Sequence, residues 1–147
     1  MTLYEHIQPG LVLRWIIGII LVVSWVSAFV LGKKDIKVIL FFVTPLMLGI
    51  ISIFWSLTVE VTKTHLTHAF NFNFWKRSYP FTEIENISKV QNSWMYGYGI
   101  RYIGSGWLYN VSGSDAILIQ FKDGKQIRLG TDDQENLYTV LSQQLEE

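Results

Sequence analysis

Four groups of side chains in this sequence have types and spacings that could do chemistry. His65 and His68 are the one hint of a metal site. Three apart on a strand they point to opposite faces, and no third ligand accompanies them, so no metal is expected. Glu83 and Glu85 share a face if their segment is a strand, as acid–base work would require; an exposed sheet edge is the reading adopted. Lys76 and Arg77 could meet anionic lipid headgroups, worth about 1 kcal/mol per charge near a membrane surface, or stand as solvated charges at a turn. The fourth group is the run WMYGYGIRYIGSGWLYNVSG, residues 94–113, with two Trp, four Tyr, five Gly, one Arg and no acid.

Three roles are open to that run. Its glycines suit turns and bulges, and its aromatics could cover a small core. Alternatively Trp94, Tyr96, Tyr98, Arg101, Trp107, Tyr109 and Asn110 form a partner-binding surface, since Trp, Tyr and Arg dominate binding hot spots. Some of them could instead lie in a lipid interface. A buried Tyr hydroxyl needs a hydrogen-bond partner, which Arg101 or Asn110 would supply. No glycine-rich phosphate loop, nucleophile elbow or HExxH motif is present, so neither catalysis nor a cofactor is expected.

The elements that must position these residues begin with two apolar runs. The chain has 147 residues, 50% hydrophobic and only 16% charged, with zero net charge and no cysteine; its mean hydropathy is +0.26. The absence of thiols excludes disulfides, thiolate zinc sites, iron–sulfur clusters and a Cys nucleophile. Uncharged segments run from Trp15 to Leu31 and from Val38 to Val59. About 22 helical residues reach roughly 33 Å, enough to cross a hydrocarbon core of roughly 30 Å. Two transmembrane helices are predicted, over residues 11–32 and 38–56, after an N-terminal tail of residues 1–10. Val26-Ser27-Ala28 looks like a signal-peptide cleavage site. The apolar run continues beyond it and Glu5 lies in the leading segment, so an uncleaved anchor is expected.

Only Gly32–Lys37 separates the spans, which must therefore form an antiparallel hairpin. Ser24, Ala28 and Gly32 fall on one small-residue face, and Gly49, Ser52 and Ser56 on another; such faces let helices approach closely in lipid. Pro45 should kink the second helix. Trp15, Trp55 and Trp75 are candidate interface anchors. Lys33, Lys34 and Lys37 in the loop balance Arg14, Lys63, Lys76 and Arg77 on the other side, so charge does not decide sidedness.

Residues 57–147 change to a β pattern. Leu57, Val59 and Val61 alternate with polar residues, and Asp115–Phe121 and Gln126–Gly130 flank an Asp-Gly turn, a strong hairpin signal. Leu137, Val140, Leu141 and Leu145 mark an amphipathic helix over residues 132–145. Its start is predicted at a capping box, Thr131 with Gln134 or Asp132 with Glu135. Counted from Glu60, the tail holds eight basic and ten acidic residues, a balance unsuited to nucleic acid. The fold class expected is an α+β membrane protein: a two-helix hairpin, then about seven antiparallel strands in a small sandwich or barrel, closed by a terminal helix.

This strand-then-helix order, with Tyr96-Gly97-Tyr98-Gly99-Ile100-Arg101, Gly106–Gly113 and Lys122–Lys125 leading to Leu129–Asp132, resembles the bacterial pleckstrin-homology-like membrane proteins. The resemblance covers about Leu57 to Leu145. It implies a seven-stranded sandwich capped by a helix and anchored in the bacterial inner membrane, with the domain facing the cytoplasm. Many such proteins have no assigned activity, and some relatives assemble into homo-oligomeric rings, so the resemblance also implies self-association. One departure matters. The first hairpin loop, Val61-Thr62-Lys63-Thr64-His65, holds a single Lys, so inositol-phosphate binding is not carried over. The functional expectation is a membrane-anchored module that binds a protein or itself. The alternatives are an oligomer packed through its helices, with the domain as cap, and a weak sensor of anionic headgroups through Lys76 and Arg77.

Overall fold

The computed structural model describes residues 1–146, and the first of them form a strand where a tail was expected. β1 (Thr2–Pro9) pairs antiparallel with β2 (Ser56–Thr62), from Thr2 opposite Thr62 to Pro9 opposite Ser56. Its alternation is inverted. Tyr4, His6 and Gln8 are the more covered residues, while Leu3, Glu5 and Ile7 are exposed. Apolar periodicity cannot reveal a strand whose covered face is polar. Hydrogen bonds tie that face to the rest of the fold: the Tyr4 hydroxyl donates to Asp133 Oδ2 at 3.0 Å and Gln8 Nε2 to the Ser112 carbonyl at 2.9 Å, while Gln8 Oε1 has no partner. His6 Nε2 lies 2.5 Å from Asp132 Oδ1.

Between these paired strands the chain makes α1 (Leu11–Val30) and α2 (Lys34–Ile53), both long and apolar enough to cross a membrane. The two helices thus stand where a β-hairpin would have its loop. Ala28 is buried between them, and Trp25 Nε1 donates to Thr44 Oγ1 at 3.0 Å. At their base the Gly10 N–H donates to the Trp55 carbonyl at 2.9 Å. A Cβ on residue 10 would lie 2.2 Å from the Phe54 carbonyl oxygen, so the approach requires glycine. Arg14 donates to the same Trp55 carbonyl and stacks 3.5 Å from the Trp55 ring centroid.

The first sheet continues through β3 (His65–Phe70) and β4 (Phe74–Pro80) in the order β1-β2-β3-β4, antiparallel throughout. Leu57, Val59 and Val61 face the core, as their alternation predicts. The second sheet holds β5 (Ile84–Gln91), β6 (Gly99–Tyr102), β7 (Trp107–Asn110), β8 (Asp115–Phe121) and β9 (Gln126–Gly130), ordered β5-β8-β9-β7-β6. β7 and β9 run parallel. The described residues therefore form nine strands with one parallel pair, where about seven antiparallel strands were expected. The extra strands come from the N-terminus and from short pieces inside the 94–113 run.

α3 (Gln134–Glu146) packs Leu137 and Leu141 into the core shared by both sheets. Neither capping box closes. Thr131 Oγ1 accepts the Asp133 N–H at 3.0 Å, and Gln134 Nε2 donates to the Val90 and Ala116 carbonyls at 3.0 and 2.8 Å. Glu135 instead meets Lys89 at 2.7 Å. Tying the helix to the second sheet takes precedence over its own first turn. In the β8–β9 turn only Gly124 is left-handed, at φ 83°, and its N–H donates to the Phe121 carbonyl at 2.9 Å. That is a tight turn followed by a glycine bulge, not a turn with both central residues left-handed.

Candidate functional site

β4 has only β3 as a neighbour, and its alternation sends Trp75, Arg77 and Tyr79 toward the second sheet. Together with Tyr102, Trp107 and Tyr109 they line a cleft of about 720 Å³. The β8–β9 turn closes one end with Asp123, Gly124 and Lys125, and Glu83 stands beside it. Gly106 lies so close to β9 that an added Cβ would sit 2.0 Å from the Gln126 carbonyl oxygen, which brings Trp107 to the rim.

An aromatic floor underlies the opening. His68 is 0% exposed, with its ring centroid 4.3 Å from that of Tyr109 and 5.8 Å from that of Tyr79. Its Nε2 is 3.4 Å from the Tyr79 hydroxyl, and its Nδ1 has no partner. Burial, aided by the positive charge of Arg77, pushes the His68 pKa down to about 4. Burial, with Tyr109 beside it, raises the Tyr79 phenol. Both groups are therefore neutral at physiological pH, His68 as imidazole and Tyr79 as phenol. Among the rim charges Lys125 and Asp123 pair at 2.6 Å, and the Lys125 hydrogen bond holds the Asp123 carboxyl below its ordinary value. Arg77 has no carboxylate partner among the described residues; its guanidinium lies 5.2 Å from the Trp75 ring centroid. Aromatic walls, one such guanidinium and an unpaired strand edge equip this cleft for recognition.

The seven residues proposed from the 94–113 run divide between three environments. Trp94 is 88% exposed on a short turn, and Tyr96 lies under Arg128 at 5.7 Å from its ring centroid. Tyr98 is half-buried, and exposed Arg101 donates its Nε–H back to the Tyr98 carbonyl at 3.2 Å. Trp107 reaches the cleft, and Tyr109 is buried in its floor. Asn110 is structural. It donates to the Gly113 carbonyl at 3.0 Å and accepts the Ser112 N–H at 3.2 Å, holding a sharp loop within the interior. The run is thus not one binding surface.

Other expectations change as well. Lys76 and Arg77 alternate along β4 and line different concavities, so they form no joint headgroup patch. Glu83 lies in a 3-10 turn and only Glu85 in β5, so the two carboxylates share no strand face. His65 is exposed and His68 buried, and no group of three metal-ligating side chains occurs among the described residues. Of the small helix residues, Ala28 is buried and Ser24 half-buried, while Gly32, Gly49 and Ser52 are exposed. Ser56 belongs to β2, not to a helix face. In the sequence Trp75 stands out only as an interface anchor and His68 only as a metal hint, and Tyr79 escapes attention, although Trp75-x-Arg77-x-Tyr79 carries the period-2 signal of one sheet face.

We compared the chain with protein-family models, with curated proteins and with solved structures, and none of them matches.

Proposed function

We propose that the protein is a membrane-anchored interaction module that binds an extended segment of a protein partner in the cleft beside β4, without catalysis. The observation that carries this reading is Arg77, a guanidinium without an acidic partner among the described residues, lining one cleft with Trp75 and Trp107 on a strand whose other edge is free. An added strand would draw main-chain hydrogen bonds from the edge and specificity from alternate side chains. A Glu or Asp of the partner would meet Arg77. The anchor is the α1–α2 hairpin, with both its ends leaving the membrane into the sheet on the cytoplasmic side of a bacterial inner membrane. A four-stranded sheet, a second sheet and a closing C-terminal helix support the proposed kinship with pleckstrin-homology-like domains.

Self-association has one observation in its favour: Gly49 and Ser52 lie on a surface of α2 that α1 leaves open. A photo-reactive amino acid in place of Trp107 separates the two readings. The partner reading expects one discrete adduct at that position and none at exposed Lys122, with the adduct lost in Arg77→Glu. Adducts at twice the chain mass that persist in Arg77→Glu and vanish in Gly49→Leu would transfer the assignment to the oligomer. Equal labelling at both positions would discard the cleft as a site.

A further inference from the structure

The turn between β3 and β4 is built at an energetic cost that its own packing does not explain. Phe72 and Asn73 have φ of 58° and 56°, a region that Asn adopts readily but that costs a residue such as Phe roughly 1–2 kcal/mol. The result is to turn Phe72 outward, where it is 77% exposed. Strain that leaves a large apolar side chain unsupported by its own fold points to something outside the fold that receives it.

Its height along the helices identifies the receiver. Asn71 Nδ2 donates to the Ser52 carbonyl at 2.9 Å, so the turn is pinned to the last turn of α2. Phe54, which ends that helix, has its ring centroid 4.9 Å from Phe70 and 6.4 Å from Phe74. From Leu11 to Val30, α1 measures about 28 Å, and a hydrocarbon core is roughly 30 Å thick. A bilayer that covers this hairpin must therefore extend to the helix bases at Leu11 and Phe54. Ser52 lies inside that limit, and Asn71, bonded to its carbonyl, brings the turn that carries Phe72 to that level.

We propose that the turn at Asn71–Asn73 is a second, non-helical membrane contact, with Phe72 inserted among the acyl chains beside α2. The proposal rests on the reading of the hairpin as membrane-spanning, and the experiment separates the two. Because the chain has no cysteine, Phe72→Cys, Phe42→Cys and Lys122→Cys each carry a single fluorescent label. The full chain is reconstituted into phosphatidylcholine vesicles and challenged with iodide in the water or with a nitroxide lipid labelled high on its acyl chain. We expect the label at residue 72 to lose most of its emission to the nitroxide lipid and little to iodide, with the reverse at residue 122. Asn73→Cys repeats the measurement with the aromatic retained.

Quenching of residue 42 by the lipid, with residues 72 and 73 open to iodide, would place the turn in water and overturn this inference alone. If residue 42 also ignored the lipid, the membrane reading would fall with it. Labels at 72 and 73 shielded from both quenchers would assign the face to a second copy of the chain and likewise overturn it.

Discussion

His68 shows how the surroundings of one residue set its chemistry. In the unfolded chain its imidazole protonates near pH 6.5, whereas burial between Tyr79 and Tyr109 depresses the folded value to about 4. Above pH 6.5 both states are neutral, and the group adds no pH dependence. As pH falls from 6.5 toward 4 the unfolded state takes up a proton that the folded state refuses. Stability should then drop by up to about 1.4 kcal/mol for each pH unit of that window. Urea midpoints of the full chain at pH 7 and pH 5 should differ, and His68→Leu should flatten the difference. An unchanged slope in that variant would show that His68 is not the titrating group.

At the scale of elements, α3 contributes through two kinds of contact that differ in weight. Leu141 is fully buried, and Leu141→Ala should cost about 2–5 kcal/mol. Gln134 joins two half-buried carbonyls of β5 and β8, so Gln134→Ala should cost about 1–3 kcal/mol by leaving acceptors unpaired. The Lys89–Glu135 pair is exposed, and Glu135→Ala should cost below about 1 kcal/mol. Chemical denaturation of the three variants tests this ranking; a Glu135→Ala loss as large as that of Gln134→Ala would contradict it. Of the expected capping residues, Gln134 is drawn to these long-range carbonyls, while Thr131 bonds locally to the Asp133 N–H.

For the whole molecule the decisive feature is where the helical pair is inserted. Because α1 and α2 leave from paired strands at Pro9 and Ser56, two chain ends tie the helices to the sheet, and Gly10, Arg14 and Trp55 tighten the junction. One end alone would be a hinge; two paired ends resist rotation. Spin labels at Asp35→Cys and Lys122→Cys should give a narrow distance distribution in the intact chain. Deleting residues 2–8 should broaden it while the strand signal of the second sheet persists. Tyr4→Phe with Gln8→Ala should broaden it less. An equally narrow distribution after the deletion would mean that β1 contributes no rigidity.

What could be read from the sequence is what depends on neighbours along the chain. The two helices follow from uncharged runs, β2 from the alternation of Leu57, Val59 and Val61, β8 and β9 from their Asp-Gly turn, and α3 from its apolar stripe. Each of these signals is periodic and local. Contacts across long separations produced the remainder. β1 could not be recognised because its covered face is polar and its partners, Ser112, Asp132 and Asp133, lie more than a hundred positions away. The cleft opens where β4 faces residues of β7 and the β8–β9 turn across it, and folding divides one aromatic run between an exposed turn, a cleft rim and a buried floor. Phe72 reached its exposed position near the helix bases only when Asn71 found the end of α2, a pairing that no periodicity records.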